Sequence, residues 1–351
     1  MQYLEESKIF KNEEILSPEY LPEMLPHREQ QIKLLANNLL PASKGRKPQN
    51  TFIHGAPGIG KTACTKYVFR EFESYSERVK TIYLNCWDYR SSHAILTKIV
   101  LDCGGFVPRR GTSKDEILEK FLEIARTLNK GFVICLDEVD KLIPEGQDAL
   151  YDLLRMNQYL KNPFGIVFIS NNPYVFAGVD GRIRSSLAIE EIGFNTYNLS
   201  EMVGILDERA KQAFFKVEKG VVLLAANRAI KKGGDVRVGL ECLLRAGRVA
   251  EAENANEVKV KYVRKVLRGV KEVKPQILKE RINNTEKVIL DILEERKRLT
   301  SNELYQACKK KVSEISDRTI RNYLRELAKI GLIKVRRVRG IRGFSRIISK
   351  V

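Results

Sequence analysis

The apolar positions divide the chain into three stretches with different periods. The first carries unbroken apolar runs: Thr51 to Ile53 in TFIHG, Phe132 to Leu136 in GFVICLDE, and a third inside FGIVFISNN. Such runs, bounded by turn residues and followed by helix-compatible segments, fit the strands of a parallel sheet covered on both faces. The second stretch has helical period. LSEMVGILDERAKQAF and DVRVGLECLLRAGRVAEAE repeat apolar residues three and four apart, which predicts a small helical domain after the sheet. In the third stretch, after Lys271, a helix over 284–296 places Val288, Ile289, Ile292 and Leu293 on one face. Thr300 or Ser301 can cap a second helix containing Leu304, and Ser316 or Asp317 a third. In the third helix Ile315, Ile320, Leu324, Leu327 and Ala328 form the inward stripe, which leaves Arg318, Thr319, Arg321, Asn322 and Arg325 facing out.

The chain ends in VRRVRGIRGFSRIISKV, where Val335, Val338, Ile341, Phe344, Ile347 and Ile348 are interleaved with basic residues around Gly340 and Gly343. A disordered tail has no use for so many apolar residues, and no lipid-facing helix accompanies it. Two strands over 332–338 and 344–350, with Arg339 and Arg342 near the tip, fit better. Three short helices and a hairpin make a winged helix-turn-helix. The expected organisation is therefore an α/β base domain with a parallel sheet flanked by helices over 1–195, a helical lid over 196–272, and a winged helix over 273–351.

Composition sets the partners. At 351 residues, 43% hydrophobic and 30% charged, the chain has the make-up of a multi-domain globular protein. No apolar run approaches the roughly 18 residues that cross a bilayer, and MQYLEESKIFKNEE has no signal-peptide pattern, so a cytoplasmic, nucleoid-associated protein is expected. The six cysteines show no C-x-x-C pairing and read as buried thiols. The net charge is +18, and the 81 residues from Lys271 hold 22 Lys and Arg against 10 Asp and Glu, so +12 of it lies there. A field concentrated on one segment points to a polyanion.

Three motifs carry chemistry. Gly55, Ala56, Pro57, Gly58, Ile59, Gly60, Lys61 and Thr62, followed by Ala63 as a further nucleotide-binding candidate, fit G-x-x-x-x-G-K-[ST] between a strand and a helix, the context in which backbone N–H groups cradle phosphates. Lys61 can then reach the β and γ phosphates of ATP, and Thr62 can ligate Mg2+. The second apolar run ends in Asp137 and Glu138, at the strand end where ligands of open sheets collect. Asp137 suits the metal, through water, and Glu138 suits orienting and deprotonating the attacking water. The third run ends in Ser170, Asn171 and Asn172, and a neutral amide there can position water.

With these motifs in order the chain resembles the AAA+ ATPases, and further features resemble the archaeal replication initiators related to the origin recognition complex and its helicase-loading partner. LPHREQQI looks like that family's adenine-side box, with Leu25, Pro26, His27 and Arg28, and NCWDY, VDGRIRSSL and GGDVRVGLECLLRAG look like its later landmarks. The resemblance makes Asn171 the first sensor and Arg237 the second, reaching the γ phosphate from the lid. It makes Arg182, with Arg184 as the substitute, an arginine finger that completes a neighbour's site. Tyr197 and Ile205 would help to enclose the adenine. Asn172 stands where the family usually has Asp, and a second Arg beside Arg237 is missing. In WDYRSSHAILTKIVLDCGGFVPRRG the family carries a helical insertion that leans on DNA, so Arg109 and Arg110 are candidate DNA contacts alongside the third winged helix, in the major groove, and the hairpin arginines.

The expected function is an ATP-binding initiator that recognises double-stranded origin DNA and recruits or loads the replicative helicase, alone or with initiator paralogues. ATP binding and slow hydrolysis to ADP act as a switch. The rival readings are a clamp-loader-like or transposition-helper ATPase and an ATP-dependent transcription regulator.

Overall fold

Alternation of faces along the strands dictates the layers. In this computed structural model, which describes residues 7–108, 111–269, 284–296, 298–311, 316–329, 333–340 and 343–350, the apolar runs become strands of one parallel sheet. Two compact units separate at Gly269, Met1–Gly269 and Val270–Val351. The expected boundary at 272/273 lies outside the described residues.

The first unit runs α1 (Glu29–Leu39), β1 (Asn50–Gly55), α2 (Lys61–Tyr75), β2 (Val79–Asn85), α3 (Ser92–Asp102), α4 (Lys114–Leu128), β3 (Gly131–Asp137), α5 (Ile143–Met156), β4 (Gly165–Ser170), α6 (Gly181–Leu187) and β5 (Ile189–Phe194). The strand order is β2-β3-β4-β1-β5, all parallel. Ile53, Val133, Cys135, Val167 and Ile169 enter one core, and Phe52, Ile134, Leu136, Ile166 and Phe168 the core on the opposite face. β1 lies inside the sheet between β4 and β5, so the loop that follows it opens at the strands' carboxyl edge.

Four helices follow: α7 (Leu199–Ala213), α8 (Val221–Lys231), α9 (Val236–Ala252) and α10 (Val260–Gly269). Their apolar faces extend the first core without a break, so Met202, Leu206, Leu243 and Ala246 share one cluster with Ile53 of the sheet. Asn198 and Glu201 form a reciprocal capping box that fixes where α7 begins. The chain before α1 joins these helices rather than the sheet. Phe10 stacks on Phe214 with ring centroids 5.1 Å apart, and Lys11 N donates to Ala213 O at 2.8 Å.

The second unit contains α11 (Asn284–Arg296), β6 (Arg298–Thr300), α12 (Ser301–Lys311), α13 (Asp317–Lys329), β7 (Ile333–Gly340) and β8 (Gly343–Lys350). Its core joins Ile289, Ile292 and Leu293 to Leu304, Cys308, Ile320, Leu324, Leu327, Ile333 and Ile348. Of the alternative caps, Thr300 serves α12: Glu303 N donates to Thr300 Oγ1 at 3.4 Å, and Thr300 N donates to the Glu303 carboxylate at 2.8 Å. Ser316 caps α13, accepting from Thr319 N at 3.1 Å.

The sheet differs from the expected hairpin. It has three antiparallel strands in the order β6-β8-β7, because Leu299, 6% exposed, pairs with Ile348. Three residues are too few to show a period of two, so β6 was invisible in the pattern. The β7–β8 ladder reaches the Gly340–Gly343 pair, and Arg339 lies inside it opposite Phe344. Leu332, Ile315 and Arg342 lie outside the described residues. Among the described residues no helix is long and apolar enough to cross a membrane.

Phe214 is 1% exposed where the N-terminal segment meets the helices. Phe214→Ala should lower the unfolding free energy by about 3 to 5 kcal/mol, read from urea denaturation of the full chain. A loss below about 1 kcal/mol would show that this junction does not hold the segment.

Candidate active site

Helix α2 begins at Lys61, directly after Gly60, whose φ of 93° a residue with a side chain adopts only with strain. The loop is thus bent so that the helix N-terminus faces a cleft of about 490 Å3. Lys61 is 7% exposed, and its Nζ donates to Gly55 O at 2.8 Å, Ala56 O at 2.7 Å and Asn171 Oδ1 at 2.8 Å. Burial pulls this ammonium down to about 8. Asp137 opposes the shift and Arg237 adds to it.

Asp137 ends β3 only 4% exposed, and its carboxylate is filled with donors. Oδ2 accepts from the Thr62 hydroxyl at 2.6 Å and the Tyr83 hydroxyl at 2.7 Å, and Oδ1 accepts from Glu138 N at 2.8 Å. Glu138 sits at φ 53°, in the left-handed region, where the chain leaves the buried strand. This unusual backbone turns its side chain into the cleft. Burial, then the charges of Asp137 and Asp140, raise its carboxyl above the usual 4.5. Ser170 Oγ donates to Asp140 at 3.0 Å, which ties the turn after Glu138 to the strand that delivers Asn171.

The helices after the sheet close the cleft from above. Ile205, Tyr197 and Arg237 line it together with Leu25, Pro26, Pro57 and Ala63. Arg237 lies at the start of α9, bound to Asp235, and Val236 N donates to Gly58 O at 3.0 Å, so this helix is docked on the phosphate loop. Other members of the expected set lie elsewhere. Gly55, Ala56 and Ile59 shape the loop from behind, and His27 does not line the cleft. Arg28 braces the loop from beneath: Nη2 donates to Ile59 O at 2.9 Å and Asn195 O at 2.8 Å.

Arg182 and Arg184 also stand outside the cleft. Arg184 Nη2 donates to Ala177 O at 2.7 Å and Val179 O at 3.0 Å, whereas the Arg182 side chain is 83% exposed and touches Asp180. Arg109 and Arg110 lie outside the described residues. In the second unit Arg318, Arg321, Asn322 and Arg325 are exposed on α13 and Thr319 is half-buried. Arg321 leans over the Tyr305 ring at 5.9 Å.

Sequence reasoning missed Tyr83, whose place opposite Ile82 and Leu84 on β2 is legible once the strand is set, and Tyr20 and Arg209. Arg209, in α7, lies over Tyr20 at 4.6 Å and donates to Ser17 O at 3.2 Å, at the far end of the cleft. No local signal connects residues so far apart in the chain.

A phosphate loop, an acidic strand end and a helical lid that brings an arginine to the same cleft define an AAA ATPase, a nucleotide-binding protein. Residues 24–169 match the AAA ATPase domain family, and 203–267 match the Cdc6 AAA+ ATPase-type lid domain. The chain is 35% identical over 348 residues to an ORC1-type DNA replication protein of Sulfurisphaera tokodaii, covering 95% of this chain and 87% of that one. It is 34% identical over 357 residues to its counterpart in Thermococcus kodakarensis, covering 95% and 86%. Among solved structures, an Aeropyrum pernix ORC1 protein in complex with DNA superposes with a TM-score of 0.81 at 30% identity, over 99% of this chain and 94% of that chain. The chain belongs to the family of ORC1-type DNA replication proteins. This assignment displaces the clamp-loader-like and transposition-helper readings.

The Lys61 shift has a measurable consequence in nucleotide-free, magnesium-free protein. Below about 8 the folded state bears the cost of a buried ammonium. As pH rises from about 8 towards 10.5, native Lys61 loses its proton while the unfolded chain keeps it, so the Lys61 contribution to stability rises across that window. Lys61→Met should remove this rise from unfolding midpoints measured against pH. An unchanged profile would place the ammonium in solvent.

Proposed function

We propose that the chain is an ATP-switched replication initiator that grips double-stranded origin DNA and recruits or loads the replicative helicase. The observation that carries the nucleotide part is the convergence of Lys61, Thr62, Asp137, Glu138, Asn171 and Arg237 on one cleft under a docked lid. Lys61 and the amides at the start of α2 hold the phosphates. Glu138, with its raised carboxyl, takes the proton of the attacking water, and Asn171 fixes that water and the Lys61 ammonium together.

The donor set of Thr62 hydroxyl and Asp137 carboxylate, 2.6 Å apart, is all oxygen and suits a hard divalent cation. These two residues would hold Mg2+, which when bound neutralises charge on the phosphates. Arg237 reports the γ phosphate to the lid, so turnover is slow and serves to reset shape. Arg182, free of the carbonyls that hold Arg184, is the arginine offered to a neighbouring copy or an initiator paralogue.

For DNA, support comes from the +12 charge of the last 81 residues, from the exposed Arg318, Arg321, Asn322 and Arg325 on one helix, and from the DNA-bound Aeropyrum pernix relative. The unit over 273–351 acts as the winged helix. α13 enters the major groove while Arg339 and Arg342 of the hairpin approach the backbone or minor groove. Arg109 and Arg110, after α3, supply a second contact. No helix-bound lipid partner is part of this reading.

Two outcomes check the two halves. Glu138→Gln should keep nucleotide affinity while phosphate release slows by about a hundredfold or more, and normal turnover would remove Glu138 from the role of base. Arg321→Ala should weaken binding to a footprinted duplex by about 1 to 3 kcal/mol at fixed salt, and an unchanged footprint would hand base recognition to other residues.

A further inference from the structure

Both arginines assigned to phosphate chemistry are held by an aspartate two residues earlier. Asp235 is the N-cap of α9. Its Oδ1 accepts from Arg237 backbone N at 2.9 Å and Nε at 3.0 Å, and its Oδ2 accepts from Nη2 at 2.8 Å. Asp180 does the same at the start of α6, with Arg182 N at 2.8 Å, Nε at 3.2 Å and Nη2 at 3.4 Å. A capping aspartate needs only the backbone N–H. Here each also grips a guanidinium with both oxygens.

The two pairs differ in setting. Asp180 and Arg182 lie in solvent, where such a pair contributes little. Asp235 is 17% exposed on its side chain and stands against the phosphate loop. A Cβ built on Gly58 would come within 1.8 Å of Asp235 Oδ1, and the next residue donates its N–H to Gly58 O. Burial raises the Asp235 carboxyl, yet the bonds and charge of Arg237 outweigh it and hold the group below its ordinary value. A carboxylate thus sits beside a loop built to receive phosphate, with the arginine meant for that phosphate already occupied.

We propose that Asp235 is a positioning residue that parks Arg237 when no third phosphate is present, so that ATP must draw the guanidinium off this carboxylate before the lid responds. This rests on the ATP reading given above. Parking taxes triphosphate binding and leaves diphosphate binding untouched, since only the γ phosphate competes for Arg237. It also places the exchange beside the Val236–Gly58 hydrogen bond that docks the lid, which makes the docking sensitive to nucleotide state.

Asp235→Asn separates parking from capping, because Asn caps a helix as well as Asp but offers no charge. In the full-length protein, calorimetry with ADP and with a non-hydrolysable β,γ-imido analogue of ATP should show the analogue binding about three- to tenfold tighter and ADP unchanged. Asp235→Ser, a second capping residue, should give the same selectivity if Asn perturbs the fold. The gain should vanish in an Arg237→Ala background. An equal gain for both nucleotides, or one that survives without Arg237, would reduce Asp235 to a charge near the loop and overturn the proposal. Lys61→Ala separates the two levels: if it keeps both nucleotides the ATP reading itself falls, and if it loses both while Asp235→Asn shows no selectivity, only the parking falls.

Discussion

The cleft depends on one buried arginine. Arg28 is 5% exposed, and its guanidinium spans the back of the phosphate loop at Ile59 O and the chain leaving the sheet at Asn195 O. Its Cζ lies 3.9 Å from the Tyr197 ring centroid and 5.0 Å from that of Phe194. A buried charge is tolerated only where its donors are filled. Here two carbonyls take the Nε and Nη2 donors and two rings lie over the charge, and these partners come from different parts of the site: the loop, the exit of β5 and the wall under the lid. Moving either carbonyl would orphan a charged donor, and moving the rings would uncover the charge, so the three parts are tied into one geometry.

That rigidity gives the lid a fixed surface to read. The core runs unbroken from Ile53 of β1 to Leu243 and Ala246 of α9, so α9 cannot tilt without disturbing the packing behind the loop. Its N-terminus touches the loop through Val236 and Gly58. The changes available at this contact are therefore local: which partner Arg237 holds, and whether Gly58 O keeps its donor. In the proposed switch, a difference of one phosphate acts on both at once. On the opposite side of the cleft, Asp140 and Ser170 hold the Glu138 turn to the Asn171 strand, so the residues proposed as base and sensor are tied together.

Much of this was legible in the sequence, for identifiable reasons. Strands buried on both faces show as continuous apolar runs, and Lys61, Thr62, Asp137, Glu138 and Asn171 follow because strand ends fix where the next residues point. The segment that the resemblance marks as an adenine-side box reaches the cleft, but its residues do so unequally. Leu25 and Pro26 line the cleft, whereas Arg28 braces it from below, a distinction that depends on Ile59 and Asn195 arriving at the same place. The same holds for Arg209, which meets Ser17 and Tyr20 from nearly two hundred residues away. In the second unit, α12 and α13 were legible through their caps and stripes, while β6 was not, because a three-residue strand gains its identity only from the β8 residues it pairs with.

The two Asp-x-Arg pairs suggest why such a switch is placed at a helix start. Freeing a guanidinium from a buried carboxylate ordinarily leaves an orphaned charge that costs several kcal/mol. At an N-cap the carboxylate keeps the backbone N–H of Arg237 and the positive end of a 17-residue helix when the guanidinium leaves. The arginine in turn exchanges one anion for another. Neither group is stranded, so a single phosphate is enough to tip the balance. The short helix α6 holds Arg182 in the same way, but in solvent, where release is easier, which suits the proposed role of this arginine towards a neighbouring molecule.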